Sequence, residues 1–232
     1  AELTNLHTKL GLAVDEIYAD EAVLIPELLR ELPYSFFATS AIDAFIHAIE
    51  SYVSPKANLY TEMFSMKAME MIVGGFRKMA EHGKEYRMEL LDEFLTASNL
   101  AGIAFGNAGT GAVHAMSYPL SGVYHVTHGE ANYQFLVAVF ETYQQLNPDG
   151  KIRQLNHFLG GLLGCDESLA YQELEKLLDV IIARRQLREY GMKEGEIEEF
   201  AKSVEKSQTR LLNQSYVKFS WQQMAEIYRR LY

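Results

Sequence analysis

Residues 40–55 read SAIDAFIHAIESYVSP, and this stretch sets the fold class. Ile42, Phe45, Ile46, Ile49, Tyr52 and Val53 fall three or four positions apart. That is one apolar stripe on a 3.6-residue period, the mark of a helix laid against a core. Pro55 should end it, because a proline cannot donate to the helix ladder. The same period continues downstream. A second helix is expected over about 58–82, with Met63, Met66, Met69, Met71 and Met79 as core filling. A third is expected over about 85–105, followed by a run dense in Gly, Ala and Ser. Pro119 and Gly122 should open a loop, PLSGVYHVTHG. A further apolar helix then runs from about 130 to 146 and stops at the Asn147-Pro148-Asp149-Gly150 turn. The remainder reads as four shorter amphipathic helices. The last begins at Ser220, where Ser220 and Gln223 form a capping box.

Residues 1–25 differ from this pattern. HTKLGLA (7–13) and DEAVLIP (20–26) are short apolar runs that could form two strands, and Pro26 and Pro33 bracket a turn. The fold class is therefore all-α, a multi-helix domain over 26–232 with a short β-like leader over 1–25.

Composition narrows the function. The formal net charge of −10 and the lack of a Lys/Arg cluster argue against a nucleic-acid partner. No stretch is long and apolar enough to read as a membrane span, and none of the given residues reads as a signal peptide. One cysteine, Cys165, rules out an internal disulfide framework, reads as a small apolar residue, and fits a cytoplasmic location.

Chemistry is concentrated in two places. Asp43 and His47 are four apart, so their side chains stack one turn apart and can reach one cation. With seven Asp and seven His in 232 residues, chance alone supplies roughly 0.2 such pairs, so a solvent-side ion pair is an equal reading of this motif by itself. The second place is NAGTGAVHAMSYPLSGVYHVTHGEAN (107–132), which puts His114, His125 and His128 within fifteen residues although the chain has only seven histidines. Any one of them could be bonded to a backbone carbonyl. Clustered in a Gly-rich apolar stretch, they can instead bring imidazoles to one point, and imidazoles with one carboxylate suit a borderline divalent ion. Other frameworks are missing: there is no H-E-x-x-H, no E-x-x-H, no adjacent His-Asp and no cysteine pair.

Taken together, the two segments resemble the iron-dependent (group III) alcohol dehydrogenases, in order and spacing, over about residues 12–232. Within that family the chain looks most like the 4-hydroxybutyrate dehydrogenases, through SYVSPKANLYTEMFS (51–65) and YHVTHGEAN (124–132). The resemblance implies the helical, metal-binding half of the dehydroquinate synthase-like architecture. It makes Asp43, His47, His114 and His128 the metal ligands. It implies Fe(2+) as the ion, with Zn(2+) as the second choice, because a zinc-using relative lacks a histidine at the position of His47. Many members carry a histidine four residues after the third ligand; here Tyr118 stands there, a hydrogen-bond donor in place of a proton shuttle. Tyr118 and His125 are the candidates for lining the catalytic site.

The resemblance also implies NAD or NADP, held by an N-terminal α/β domain with a Gly-Gly-Ser-type phosphate loop. Nothing in this sequence matches that loop. Gly106, Gly109 and Gly111 follow a helix rather than a strand, which makes a poor phosphate cradle. Residues 1–25 are accordingly expected to be the remnant of that nucleotide-binding domain, the chain to be a C-terminal piece, and hydride transfer to need the rest. The implied partners are a small alcohol or aldehyde, 4-hydroxybutyrate and succinate semialdehyde by the subfamily likeness, and further copies of the chain in a homo-oligomer. Lys56, Tyr60 and Tyr124 are the groups that could receive a substrate carboxylate. The rival readings are a general butanol-type dehydrogenase, a metal-dependent lyase of the same architecture, and a non-catalytic, metal-stabilised helical module.

Overall fold

Helix α1 (Tyr34–Val53) is buried on nearly every side: all six residues of its predicted stripe are buried, and so are Ala38, Ala41, Ala44 and Ala48 between them. A helix that is apolar all round can only sit inside a bundle, and small residues let its neighbours approach. In this computed structural model, which describes residues 2–3, 8–9 and 14–232, α2 (Leu59–His82) and α3 (Leu91–Ala108) pack against α1 and against each other. Two further helices, α4 (Ala112–Tyr124) and α5 (His128–Leu146), pack together, with α5 also lying on α1. The remaining helices surround these: α6 (Lys151–Leu163), α7 (Ala170–Ile181), α8 (Ile197–Ser207), the single turn α9 (Thr209–Leu212) and α10 (Trp221–Leu231). No helix among the described residues is long and apolar enough to cross a membrane.

Helix ends follow local chemistry. Ser54 takes ψ 141, the extended conformation that a following proline imposes, and α1 stops there. Its hydroxyl donates to the Ala108 carbonyl at 2.7 Å, which ties the end of α1 to the end of α3. Asn58 starts α2 with a capping box: its side chain accepts from the Tyr60 and Thr61 amides, and Thr61 Oγ1 accepts from the Asn58 amide. The Ser220–Gln223 box begins α10 as the sequence indicates.

Four boundaries differ from the sequence expectation. Residues 84–89 form a 3₁₀ turn, so the third helix starts only at Leu91. In the leader, the described strands are Glu2–Leu3 (β1) and Thr8–Lys9 (β2), paired antiparallel with Glu2 opposite Lys9; His7 and residues 10–13 lie outside the described residues. Residues 20–25 form no strand. Val23, Leu24 and Ile25 are exposed and have no ladder partner among the described residues, and an apolar run without a sheet cannot hold a strand.

The fourth difference matters most. Pro119 does not open a loop: α4 runs through it to Tyr124. An interior proline costs a helix roughly 3 kcal/mol, since it deletes one ladder bond and crowds the preceding turn. Here α4 is buried from Ala112 to Gly122, so packing overrides the local preference. The Tyr228 hydroxyl of α10 donates to the Met116 carbonyl at 2.5 Å, serving the backbone one turn before the proline.

Gly129, in the first turn of α5, sets the α1–α5 distance. A Cβ there would lie 2.4 Å from the Thr39 carbonyl oxygen and 3.2 Å from Asp43 Cβ. Gly129→Ala should therefore lower stability, although alanine is worth up to about 1 kcal/mol more than glycine inside a helix. The obstacle is backbone and cannot swing away, and overpacking of this kind costs about 1–3 kcal/mol. Urea unfolding should show a lower midpoint for the variant; an equal or higher midpoint would mean that the two helices are not held this close.

Candidate metal centre

Each of three helices brings polar side chains to one point by the i, i+4 spacing of a helix face. Helix α1 carries Asp43 and His47, and one turn further Glu50. Helix α4 carries His114 and Tyr118. Helix α5 carries His128 at its first residue and Asn132 four positions on. One ligand atom from each of Asp43, His47, His114 and His128 lies within 4.8 Å of the others. Around the carboxylate, His114 Nε2 is 3.8 Å from Asp43 Oδ1, and His128 Nε2 and His47 Nε2 are 3.8 and 4.0 Å from Asp43 Oδ2. These spacings are too long for hydrogen bonds and leave room at the centre. The sequence reading named all four residues, and the fold brings all four together.

What surrounds them was not anticipated. His114 Nδ1 bonds Glu50 Oε2 at 2.6 Å, and the other Glu50 oxygen accepts the Val113 amide at 2.7 Å. Glu50 is 2% exposed. Gly111 makes room for it: a Cβ at that position would sit 3.1 Å from Glu50 Oε1 and 3.2 Å from the Ser215 backbone. Because Nδ1 faces Glu50, the other nitrogen of His114 points into the cluster, where Nε2 is buried and has no hydrogen-bond partner. On the far side, Asn132 Nδ2 donates to Asp43 Oδ1 at 2.7 Å and lies 3.2 Å from His128 Nε2, while the Ser117 hydroxyl donates to Asn132 Oδ1. The His47 ring is stacked between Phe105 and His114, with centroids 4.2 and 4.7 Å apart.

These contacts fix the charge states. Burial alone would raise the Asp43 carboxyl, but the three imidazoles and the Asn132 amide outweigh it and hold Asp43 below the usual carboxylate range. Burial pushes His47 down to about 4, aided by the neighbouring histidines and opposed by Asp43. Burial works on His114 in the same direction, yet the Glu50 hydrogen bond and the two carboxylate charges prevail and raise it.

The cluster opens into a cavity of about 720 Å³, lined by His47, His114 and His128 together with Tyr118, Phe105, Lys56, Arg210 and Gln214. Tyr118 lines this cavity, its ring centroid 6.2 Å from that of His128. His125 does not. Because α4 continues past Pro119, His125 becomes its left-handed C-cap (φ 54, ψ 28), is exposed, and is outside the cavity lining. Of the groups considered for a carboxylate, Lys56 lines the cavity, whereas Tyr60 is exposed and Tyr124 donates to Glu196. Glu50 carried a sequence signal, being seven residues from Asp43 and so on the same helix face. Asn132, four residues after His128, carried one too. Arg210 carried none, since only the chain's return at α9 brings it here.

The comparisons agree with one another. The family model described as "Fe-containing alcohol dehydrogenase family, C-terminal" matches residues 37–232. The chain is 57% identical over 232 residues to the 4-hydroxybutyrate dehydrogenase of Clostridium kluyveri, covering all of this chain and 62% of that protein. It is 31% identical over 226 residues to the long-chain-alcohol dehydrogenase 1 of Geobacillus thermodenitrificans, covering 93% and 56%. Among solved structures, an archaeal halo-thermophilic Red Sea brine pool alcohol dehydrogenase superposes with a TM-score of 0.88 at 22% identity, covering 99% of this chain and 59% of that one, a likeness of fold. A 1,3-propanediol oxidoreductase superposes with a TM-score of 0.75 at 28% identity, covering 89% and 54%. The chain spans less than two thirds of the length of each of these proteins.

The Glu50–His114 pair gives a direct test. Glu50→Gln keeps the shape but removes the charge that raises His114, so the His114 pKa in metal-free protein should fall. Titration followed by histidine NMR should show His114 losing its proton at lower pH in the variant. An unchanged titration would mean that Glu50 does not set the state of His114.

Proposed function

The chain belongs to the Fe-containing alcohol dehydrogenase family, and from that premise we propose that it is the helical, metal-binding half of a metal-dependent alcohol dehydrogenase with one ion held by Asp43, His47, His114 and His128. The observation that carries this reading is the orphaned His114 Nε2. A buried ring nitrogen without a partner is costly, and Glu50 aims it at three other ligand atoms. One carboxylate and three imidazoles fit a borderline divalent ion, and iron is the ion we assign. Residues 26–232 are the catalytic domain in this reading, and residues 1–25 belong to a nucleotide-binding unit that supplies NAD or NADP. By analogy with the Clostridium kluyveri relative, the reaction interconverts 4-hydroxybutyrate and succinate semialdehyde.

When bound, the ion supplies Lewis acidity to a substrate oxygen. This chain's own residues do the rest. Glu50 accepts a hydrogen bond from Nδ1–H and so fixes the tautomer in which His114 Nε2 is the ligand. Asn132 holds Asp43 beside His128, and its own carbonyl is held by Ser117. Phe105 covers one face of His47 and keeps water off it. Tyr118 has its hydroxyl proton held more firmly than an ordinary phenol, through burial and the charges of Glu50 and Asp43, partly offset by Arg210. It therefore acts as a hydrogen-bond donor to substrate, not as a base.

The test is metal content. Purified protein should carry one divalent ion per chain by elemental analysis, and Asp43→Ala and His128→Ala should each lose it while the helical circular dichroism stays intact. Stoichiometric metal in either variant would overturn the ligand assignment.

A further inference from the structure

The wall of the metal cavity has an unusual charge balance. The chain carries 31 acidic against 21 basic residues, yet the described cavity lining includes Lys56 and Arg210 and no Asp or Glu. Among the described residues neither cation has a carboxylate in ion-pair range, although both stand on the wall of the cavity. Lys56 is instead held by a neutral group. With its amide oriented to donate to the Thr110 carbonyl at 3.2 Å, Gln214 places its oxygen 3.2 Å from Lys56 Nζ. That oxygen occupies one ammonium hydrogen and leaves the others available. Gln214 is itself pressed against Gly109, where a Cβ would come within 2.3 Å of its terminal amide.

We propose that Arg210 and Lys56 form the receptor for the far carboxylate of the substrate, Arg210 as the principal contact, and so select an ω-hydroxy acid over a plain alcohol. The inference rests on the alcohol dehydrogenase reading above and names the substrate class of that site. Its physical basis is that two cations on the cavity wall, with no carboxylate among the described lining residues and the Asp43 and Glu50 charges set deeper at the cluster, favour an anionic ligand beside them. Arginine suits a carboxylate because its planar fork can donate two parallel hydrogen bonds. The cations and the metal cluster line one cavity, so one molecule can span them with its reacting oxygen at the cluster and its carboxylate at Arg210. Tyr118 lies between: its ring neighbours His128, and the Arg210 charge is felt at its hydroxyl. A dinucleotide phosphate is the other anion that could use such a pair, and the experiment separates the two.

The experiment uses the metal-loaded enzyme with its nucleotide-binding domain and compares succinate semialdehyde with butanal, which has the same chain length and no carboxylate. In the parent enzyme kcat/KM should strongly favour succinate semialdehyde. Arg210→Met should lower the ratio of the two kcat/KM values by about 10- to 100-fold, mainly through KM for succinate semialdehyde, as loss of a charge-assisted bond requires. Arg210→Lys should recover part of the ratio, and Lys56→Met should lower it less. The KM for NAD(H) or NADP(H) should hold in all three. An unchanged ratio in Arg210→Met, or a rise confined to the coenzyme KM, would overturn the carboxylate receptor and leave the dehydrogenase reading standing. A metal-loaded parent that reduces neither aldehyde would overturn the dehydrogenase reading, and this proposal with it.

Discussion

Two carboxylates are carried into the interior on one face of α1, and a buried charge must be compensated or it will not stay charged. Asp43 is compensated by three imidazoles and one amide, Glu50 by one imidazole and one backbone amide. His114 stands between them and is shared: Glu50 holds one ring nitrogen, and the other faces Asp43. The three-helix arrangement follows from that sharing. Helix α4 must lie close enough for His114 to reach α1, which Gly111 permits, and α5 must start against Thr39, which Gly129 permits. The apolar core supplies the driving force for folding, while these polar contacts choose which of many helical packings is adopted.

Much of this was legible in the sequence, and the reasons can be named. The stripe of α1 gave its buried face because periodicity is a local property. The Ser220 cap could be read from a three-residue spacing, again local. Asp43 and His47 stood out by their i, i+4 spacing, and His114 and His128 as two of three clustered histidines; the resemblance to the iron-dependent alcohol dehydrogenases made these four the ligand set. What could not be read depends on distant chain. Pro119 looks like a helix breaker until burial of α4, and the hydroxyl of Tyr228 more than a hundred residues away, are known. With α4 continuing, His125 stands at an exposed left-handed cap rather than in a loop. The run at 20–25 has the composition of a strand but no neighbour to pair with among the described residues.

Glu50 illustrates a subtler gap. Its place on the Asp43 face was visible, yet a glutamate ending an apolar run is usually solvated. Only the glycine at 111, which clears space for its carboxylate, shows why it can be buried at all. Sequence proximity makes ligands easy to nominate; the groups that orient them come from whichever element packs next door.

The site also divides along the chain. The cluster and its supports lie between Asp43 and Asn132, on α1, α4 and α5, whereas Arg210 and Gln214 arrive from the α9 region far downstream. Contact between the two parts includes the tight seat of Gln214 on Gly109. Such a division lets mutation explore the two halves at different tempos. The ion corner is tightly interdependent, and residues 214 and 215 are seated against the glycines beside it, whereas Arg210 reaches the cavity from a turn that supplies no ligand. The wall of the cavity thus draws on two stretches of chain about a hundred residues apart, and the second of them, around residues 208–215, carries no motif.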